Sequence, residues 1–115
     1  ADMCEERREA VRAAFRRLDT SSEGLVEMSH LVRSFNASRH PHVSDGSRQP
    51  EEVLDEFSTA LKDVVEFRRG QRSYPNKLVA WEEFEEYYKM VHGCYADDAF
   101  FCMMLHRVWD VDKMP

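Results

Sequence analysis

A stretch of twelve residues between two amphipathic segments constrains this 115-residue chain more than any other feature. It begins at Asp19, with Gly24 at its sixth position and the apolar Val26 at its eighth. The segments on either side, 4–18 and 28–35, carry apolar residues at helical spacing. Because glycine permits a sharp backbone turn, the pattern predicts a helix, a twelve-residue loop and a second helix.

This spacing is that of the EF-hand, which surrounds calcium with oxygens from loop positions one, three, five, seven, nine and twelve. The twelfth position of a calcium loop is a glutamate that contributes two oxygens, and an imidazole is a poor ligand for a hard cation. We therefore expect a calcium dissociation constant of about 10⁻⁴ M or weaker, and a scaffolding role for the loop stays open beside a weak metal site. The candidate ligands are Asp19, Ser21, Glu23, the Leu25 carbonyl, Glu27 and His30.

A second loop should precede the fourth helical segment, since EF-hands occur in pairs. When Glu83 is aligned with the twelfth position, Val79 falls at the eighth, Lys77 at the turn and Arg72 at the first. A cation at the first position and a lysine in place of glycine leave no calcium cage, so this loop is predicted not to bind calcium. Val26 and Val79 are then predicted to pair in a short β-bridge between the two loops.

Helical periodicity predicts five helices and an all-α fold class, an EF-hand pair with a C-terminal helix packed on it. The length is that of one ordinary domain, so residues 1–115 are expected to form one unit. Its parts are a first EF-hand at about 4–36, a connector at 37–49, a degenerate second EF-hand at about 50–93, and the last helix at about 97–111.

The last helix carries apolar side chains around most of its circumference, which predicts burial on more than one side. One interpretation is that it completes the core of a small domain. The other is that it fills the groove in which paired EF-hands accept an amphipathic helix, and that a partner can displace it. The candidate groove-plugging or partner-binding residues are Phe100, Phe101, Met104, Leu105, Val108 and Trp109.

Charge and composition argue against several classes of function. The net charge of −6 disfavours nucleic acid as a partner, and the arginines of residues 1–18 alternate with glutamates, which indicates a solvated face of mixed charge. The longest apolar run, 99–105, is too short to cross a bilayer. No catalytic order of residues and no phosphate-binding glycine-rich loop occurs, so no enzyme activity is predicted. Three cysteines without a CxxC spacing favour a reducing, cytoplasmic compartment.

Five segments are distinctive in their order and spacing. They are the loop from Asp19 to Val26, His40-Pro-x-Val43, Glu52-Val-Leu-x-x-Phe57, Trp81-Glu-Glu-Phe84 followed by Tyr87-Tyr88, and Asp97-Asp98-x-Phe100-Phe101-x-x-Met104 with Trp109. Over about residues 15–111, the chain resembles the C-terminal EF-hand pair of calcyphosin and its relatives. The resemblance implies a helical EF-hand fold, calcium-linked regulation in the family and no catalysis. Members of that family usually have four EF-hands, so the resemblance implies either a fragment of a longer natural chain with further EF-hands or a shortened relative.

We therefore predict a calcyphosin-like protein-interaction module with degenerate calcium loops, which requires no cofactor and binds calcium weakly or not at all. Its partner is expected to be a protein or an amphipathic peptide. The alternative is a low-affinity calcium sensor that uses only the first loop, Asp19 to His30.

Overall fold

Helices make up most of the structure, a computed structural model that describes residues 3–69 and 78–113. In these residues, three single 3₁₀ turns follow or connect the α-helices, at Ala37–Arg39, His92–Cys94 and Val111–Lys113. The all-α fold class is thus confirmed. In chain order the elements are α1 (Glu5–Leu18), β1 (Leu25–Glu27), α2 (Met28–Ser34), α3 (Pro41–Ser44), α4 (Pro50–Arg69), β2 (Leu78–Ala80), α5 (Trp81–Val91) and α6 (Asp98–Val108).

The two short strands join the two helix–loop–helix units. They run antiparallel, with Val26 opposite Val79, and both valines are almost fully buried. The N–H of Trp81, the first residue of α5, also donates a hydrogen bond to the carbonyl of Gly24 at 3.0 Å. The predicted β-bridge between the loops is confirmed, and it gives the described residues an EF-hand-like arrangement.

Local sequence accounts for the helices that flank the loops. In α1, Glu5 and Glu6 lie in the first turn while Arg16 and Arg17 lie in the last, so their charges oppose the partial charges of the helix ends. The α4 helix starts at Pro50, whose fixed φ and missing N–H suit the first helical position. Each helix turns an apolar stripe inward; that of α1 contains Val11, Ala14, Phe15 and Leu18.

The centre of the core is a cluster of aromatic rings around Trp109, which follows α6 and is 1% exposed. Its ring centroid lies 5.3–5.5 Å from those of Phe35, Phe57 and Phe84, which belong to or adjoin α2, α4 and α5. The indole N–H donates a hydrogen bond of 2.9 Å to the buried hydroxyl of Tyr88. One side chain thus contacts both helix–loop–helix units and satisfies its only polar group.

The connector contains a helix that is not among the five predicted. It contains the 3₁₀ turn Ala37–Arg39 and the short helix α3. His40 caps α3, since its Nδ1 accepts a hydrogen bond from the His42 N–H at 3.1 Å. A four-residue helix is too short to leave a helical period in the sequence, which explains the difference.

One helix boundary also departs from expectation. The α6 helix ends at Val108 rather than at about 111, because Asp110 adopts a left-handed φ of 56° that breaks the helical path. The predicted second-loop positions Arg72 and Lys77 lie outside the described residues.

Among the residues that are described, no helix combines the length and the hydropathy that crossing a membrane demands.

Replacing Trp109 by alanine should lower the free energy of unfolding by about 3–5 kcal/mol, because it opens a cavity and leaves the Tyr88 hydroxyl unpaired. Urea unfolding followed by far-UV circular dichroism measures the loss. Met103→Ala is the control on the same helix, since Met103 is 38% exposed, and should cost about 1 kcal/mol or less. A loss below about 1 kcal/mol for Trp109→Ala would contradict the central role of this ring.

Candidate functional site

The first loop is closed by its own first residue. Asp19 follows α1, and its two carboxylate oxygens accept hydrogen bonds from the backbone N–H groups of Glu23 (3.2 Å) and Gly24 (2.8 Å). Gly24 has a φ of 77°, a conformation that costs glycine little, and Ser22 has a φ of 59°. The sharp turn expected at the sixth position is therefore present, and hydrogen bonds within the chain hold it.

A cleft of about 190 Å³ lies beside this turn. The structure brings five of the six predicted ligand residues to it and leaves Glu23 outside the lining: Asp19, Ser21, Leu25, Glu27 and His30 line the cleft. Thr20 and Arg33 line it as well. Arg33 was missed because only the twelve loop positions were considered as ligands; it lies three residues after His30 on α2, a spacing that places both side chains on one face of the helix.

The twelfth position of this loop carries no carboxylate. His30 occupies the twelfth position of the loop, the clamp position, where a calcium loop has a two-oxygen glutamate. Its ring Nδ1 lies 3.4 Å from the Ser34 hydroxyl oxygen. Arg33 also lines the cleft, where its positive charge disfavours a cation. Within 3–69 and 78–113, no three His, Cys, Asp or Glu side chains are grouped closely enough to hold one metal ion.

In the described chain, Glu83 occupies the twelfth position of the second loop. Glu83 is 4% exposed, and its Oε1 accepts a hydrogen bond of 2.8 Å from the N–H of Ala80. This contact satisfies a backbone donor at the start of α5, where a carboxylate also suits the helix dipole. Glu83 therefore serves the helix start.

The α6 helix buries one broad face. Phe100, at the edge of that face, is half-buried and packs on Tyr95, with ring centroids 5.9 Å apart, and on His42, at 6.0 Å. On the opposite side Met103 is exposed, so the predicted burial does not extend around the whole helix. The remaining candidates are at most 4% exposed: Phe101, Met104, Leu105, Val108 and Trp109.

A buried arginine fastens the start of α6 to α1. Arg7 is 5% exposed, and its guanidinium donates to the carboxylate of Asp98 and to the carbonyls of His92 (2.8 Å) and Tyr95 (2.6 Å). Its charged carbon also lies 4.9 Å from the ring centroid of Phe101. The solvated face predicted for the first eighteen residues is thus wrong for Arg7, whose partners lie more than 80 residues away in the sequence.

A second arginine fastens the end of α6 to the connector. Arg39 donates to both carboxylate oxygens of Asp112 and to Asp110, each at 2.8 Å, and to the carbonyl of Arg107 at 3.1 Å. The guanidinium lowers the pKa of the Asp112 carboxyl. We call Arg7 and Arg39 the two tethers, since they hold α6 at both ends.

A cavity of about 280 Å³ lies between the aromatic cluster and the connector. His40 and His42 line it together with Cys94, which is remote from them in the sequence. Burial, and next the neighbouring His42, lower the pKa of His40 from 6.5 to about 4. Burial likewise raises the pKa of Tyr87 on the same wall. His40 is therefore neutral over most of the pH range in which a free histidine titrates.

Comparison with known proteins relates the chain to a calcium-binding protein. No protein-family model matches the chain. The chain is similar to crustacean calcium-binding protein 23 from Faxonius limosus, with 29% identity over 108 residues. The aligned region covers 94% of this chain and 50% of the relative, so the chain spans about half the length of that protein. The likeness is to a calcium-binding protein, and membership of the calcyphosin group stays a prediction.

Lowering the pH from about 7 to about 4.5 should destabilise the wild type more than the variant His40→Asn. The folded state holds the pKa of His40 near 4, whereas the unfolded chain takes up the proton below about 6.5, so its contribution to stability is lost as pH falls between these values. Urea unfolding at both pH values should give a difference of roughly 1–3 kcal/mol.

His40→Asn is the matched comparison because an asparagine oxygen can accept the same hydrogen bond at the start of α3 without titrating. Carboxylates that titrate in this range affect both proteins equally. Equal losses of stability in the wild type and the variant would contradict the role assigned to His40.

Proposed function

We propose that the chain is a calcyphosin-like EF-hand pair that acts as a protein-interaction module and is closed by α6 without calcium. The observation that carries this proposal is the position of Trp109, whose ring packs against Phe35, Phe57 and Phe84. An amphipathic peptide that entered a groove between the two units would present a similar side chain there. Here the chain supplies that side chain in cis.

The tethers support a closed state. Arg7 and Arg39 each make three or more hydrogen bonds at an end of α6. Removing α6 would take from Arg7 its carboxylate partner Asp98 and the ring of Phe101, whose centroid lies 4.9 Å from the guanidinium carbon. We therefore favour the interpretation in which Phe100, Phe101, Met104, Leu105, Val108 and Trp109 complete the core, and a partner that docks in the groove must compete with them.

The loop chemistry supports a scaffolding role. Asp19 and the Val26–Val79 pairing maintain the loop shape, while His30 and Arg33 make its cleft unsuitable for a cation. We propose no catalytic role. The free cysteines at positions 4, 94 and 102 are consistent with the cytoplasm as the compartment.

A low-affinity calcium sensor is the second candidate, favoured by the similarity to a protein named for calcium binding. In this alternative the ion would be held by the remaining oxygens of the first loop, at Asp19, Ser21, Glu23, Leu25 and Glu27. Calcium affinity then decides between the two functions.

Calorimetric titration should detect no calcium binding by the wild type in the sensor range of about 10⁻⁷–10⁻⁵ M. His30→Glu restores a two-oxygen clamp and should tighten binding by at least about tenfold, more when combined with Arg33→Gln. His106→Glu makes the same change of charge outside the loop and should have no such effect. Wild-type binding in the sensor range would refute the scaffolding role and support the sensor.

Truncation after Ala96 should abolish cooperative thermal unfolding, because it removes Trp109, the Asp98 carboxylate that pairs with Arg7, and the side-chain partners of Arg39. A peptide of residues 97–115 added in trans should restore helical circular dichroism, and the same peptide with Trp109→Ala should not. If the truncated chain instead stays folded and binds unrelated amphipathic peptides, α6 is a displaceable plug and not part of the core.

A further inference from the structure

A polar groove of about 440 Å³ lies where the C-terminal ends of α1 and α2 meet the end of α6. Three basic side chains line it: Arg17 from α1, and His30 and Arg33 from α2. The hydroxyl-bearing residues Thr20 and Ser34 line the same groove. We call this space the Arg17–Arg33 groove.

The two arginines keep most of their donors unused. Arg17 is exposed and donates only through Nε, to the carbonyl of Asp110 at 3.1 Å. Within the described chain, Arg33 makes no hydrogen bond or ion pair, although acidic residues outnumber basic ones overall. Arginines in the last turn of a helix ordinarily oppose the partial charge of that end. Here the last turns of two helices border one groove, so both guanidinium groups are available to a single ligand.

The acidic residue in the groove is already neutralised. Asp110 lines the groove, but Arg39 donates to its carboxylate at 2.8 Å and the Asn36 amide lies 3.5 Å from both oxygens. The positive charges of Arg17 and Arg33 are therefore the uncompensated charges of this space.

We propose that the Arg17–Arg33 groove binds a phosphate group. Guanidinium groups present paired N–H donors that match phosphate oxygens, and two of them together suit a dianion. The hydroxyls of Thr20 and Ser34 and the ring of His30 supply further hydrogen bonds. Phosphate is favoured over a carboxylate because it carries more charge and more acceptor oxygens.

The replacement at the clamp position gives this groove its connection to the calcium loop. Thr20, His30 and Arg33 line both the Arg17–Arg33 groove and the cleft of the first loop. A glutamate at position 30 would add a negative charge beside Arg33 and repel phosphate. The identity of residue 30 therefore bears on both sites, because a glutamate suits calcium in the first loop and a histidine suits an anion in the groove.

The test is a titration of the ¹⁵N-labelled full chain with inorganic phosphate, against sodium chloride at matched ionic strength, followed by nuclear magnetic resonance. Saturable shifts are expected for the backbone amides of Thr20, His30 and Ser34 and for the Nε signals of Arg17 and Arg33. The double variant Arg17→Gln/Arg33→Gln should weaken binding by at least about tenfold, since charge-assisted hydrogen bonds are lost.

Arg12→Gln/Arg16→Gln is the matched control. It removes the same total charge as the first double variant, but at two positions of α1 that do not line the groove. It should change the affinity by less than about twofold, as exposed charges at a distance are screened. A phosphoserine peptide distinguishes the source of the phosphate: tighter binding than inorganic phosphate assigns the groove to a phosphorylated chain, and equal binding to the free ion. Shifts that do not saturate, or equal losses in both double variants, would overturn the proposal.

Discussion

The indole of Trp109 is the contact on which the rest of the structure depends. It lies beyond the end of α6, packs against rings from the vicinity of three other helices, and gives its N–H to Tyr88. The rings it contacts belong to both helix–loop–helix units, so this one side chain supplements the short β1–β2 pairing in joining them. The hydrogen bonds of Arg7 and Arg39 hold the two ends of α6 and so fix the position of this ring.

Shape and ion affinity are separable properties of the first loop. Its turn depends on Asp19, Gly24 and the pairing of Val26 with Val79, none of which requires a bound ion. Affinity for calcium depends instead on oxygens at the clamp position, where His30 stands, and on a negative potential that Arg33 opposes. A loop of this kind can keep its structural role after its ligand chemistry has changed.

The sequence predicts what depends on local pattern. The loop turn, the register of Val26 with Val79 and the apolar faces of the helices follow from spacing alone. The tethers could not be predicted, because Arg7 stands among exposed charged residues in the sequence and its partners are distant. The early end of α6 could not be predicted either, because the contact of Asp110 with Arg39 joins residues that are distant in the sequence. At the first loop, five of the six predicted ligands line one cleft, and Arg33, one helical turn after His30, lines it as well.

In the function proposed above, α6 closes the domain independently of calcium. Hydrogen exchange at the indole N–H of Trp109, followed by nuclear magnetic resonance in chelator and then in excess calcium, tests it most directly. We expect the indole N–H to exchange slowly and at the same rate in both conditions, because it is buried and donates a hydrogen bond to Tyr88. Exchange that becomes fast when calcium is added would mean that the ion releases α6, and would contradict the account.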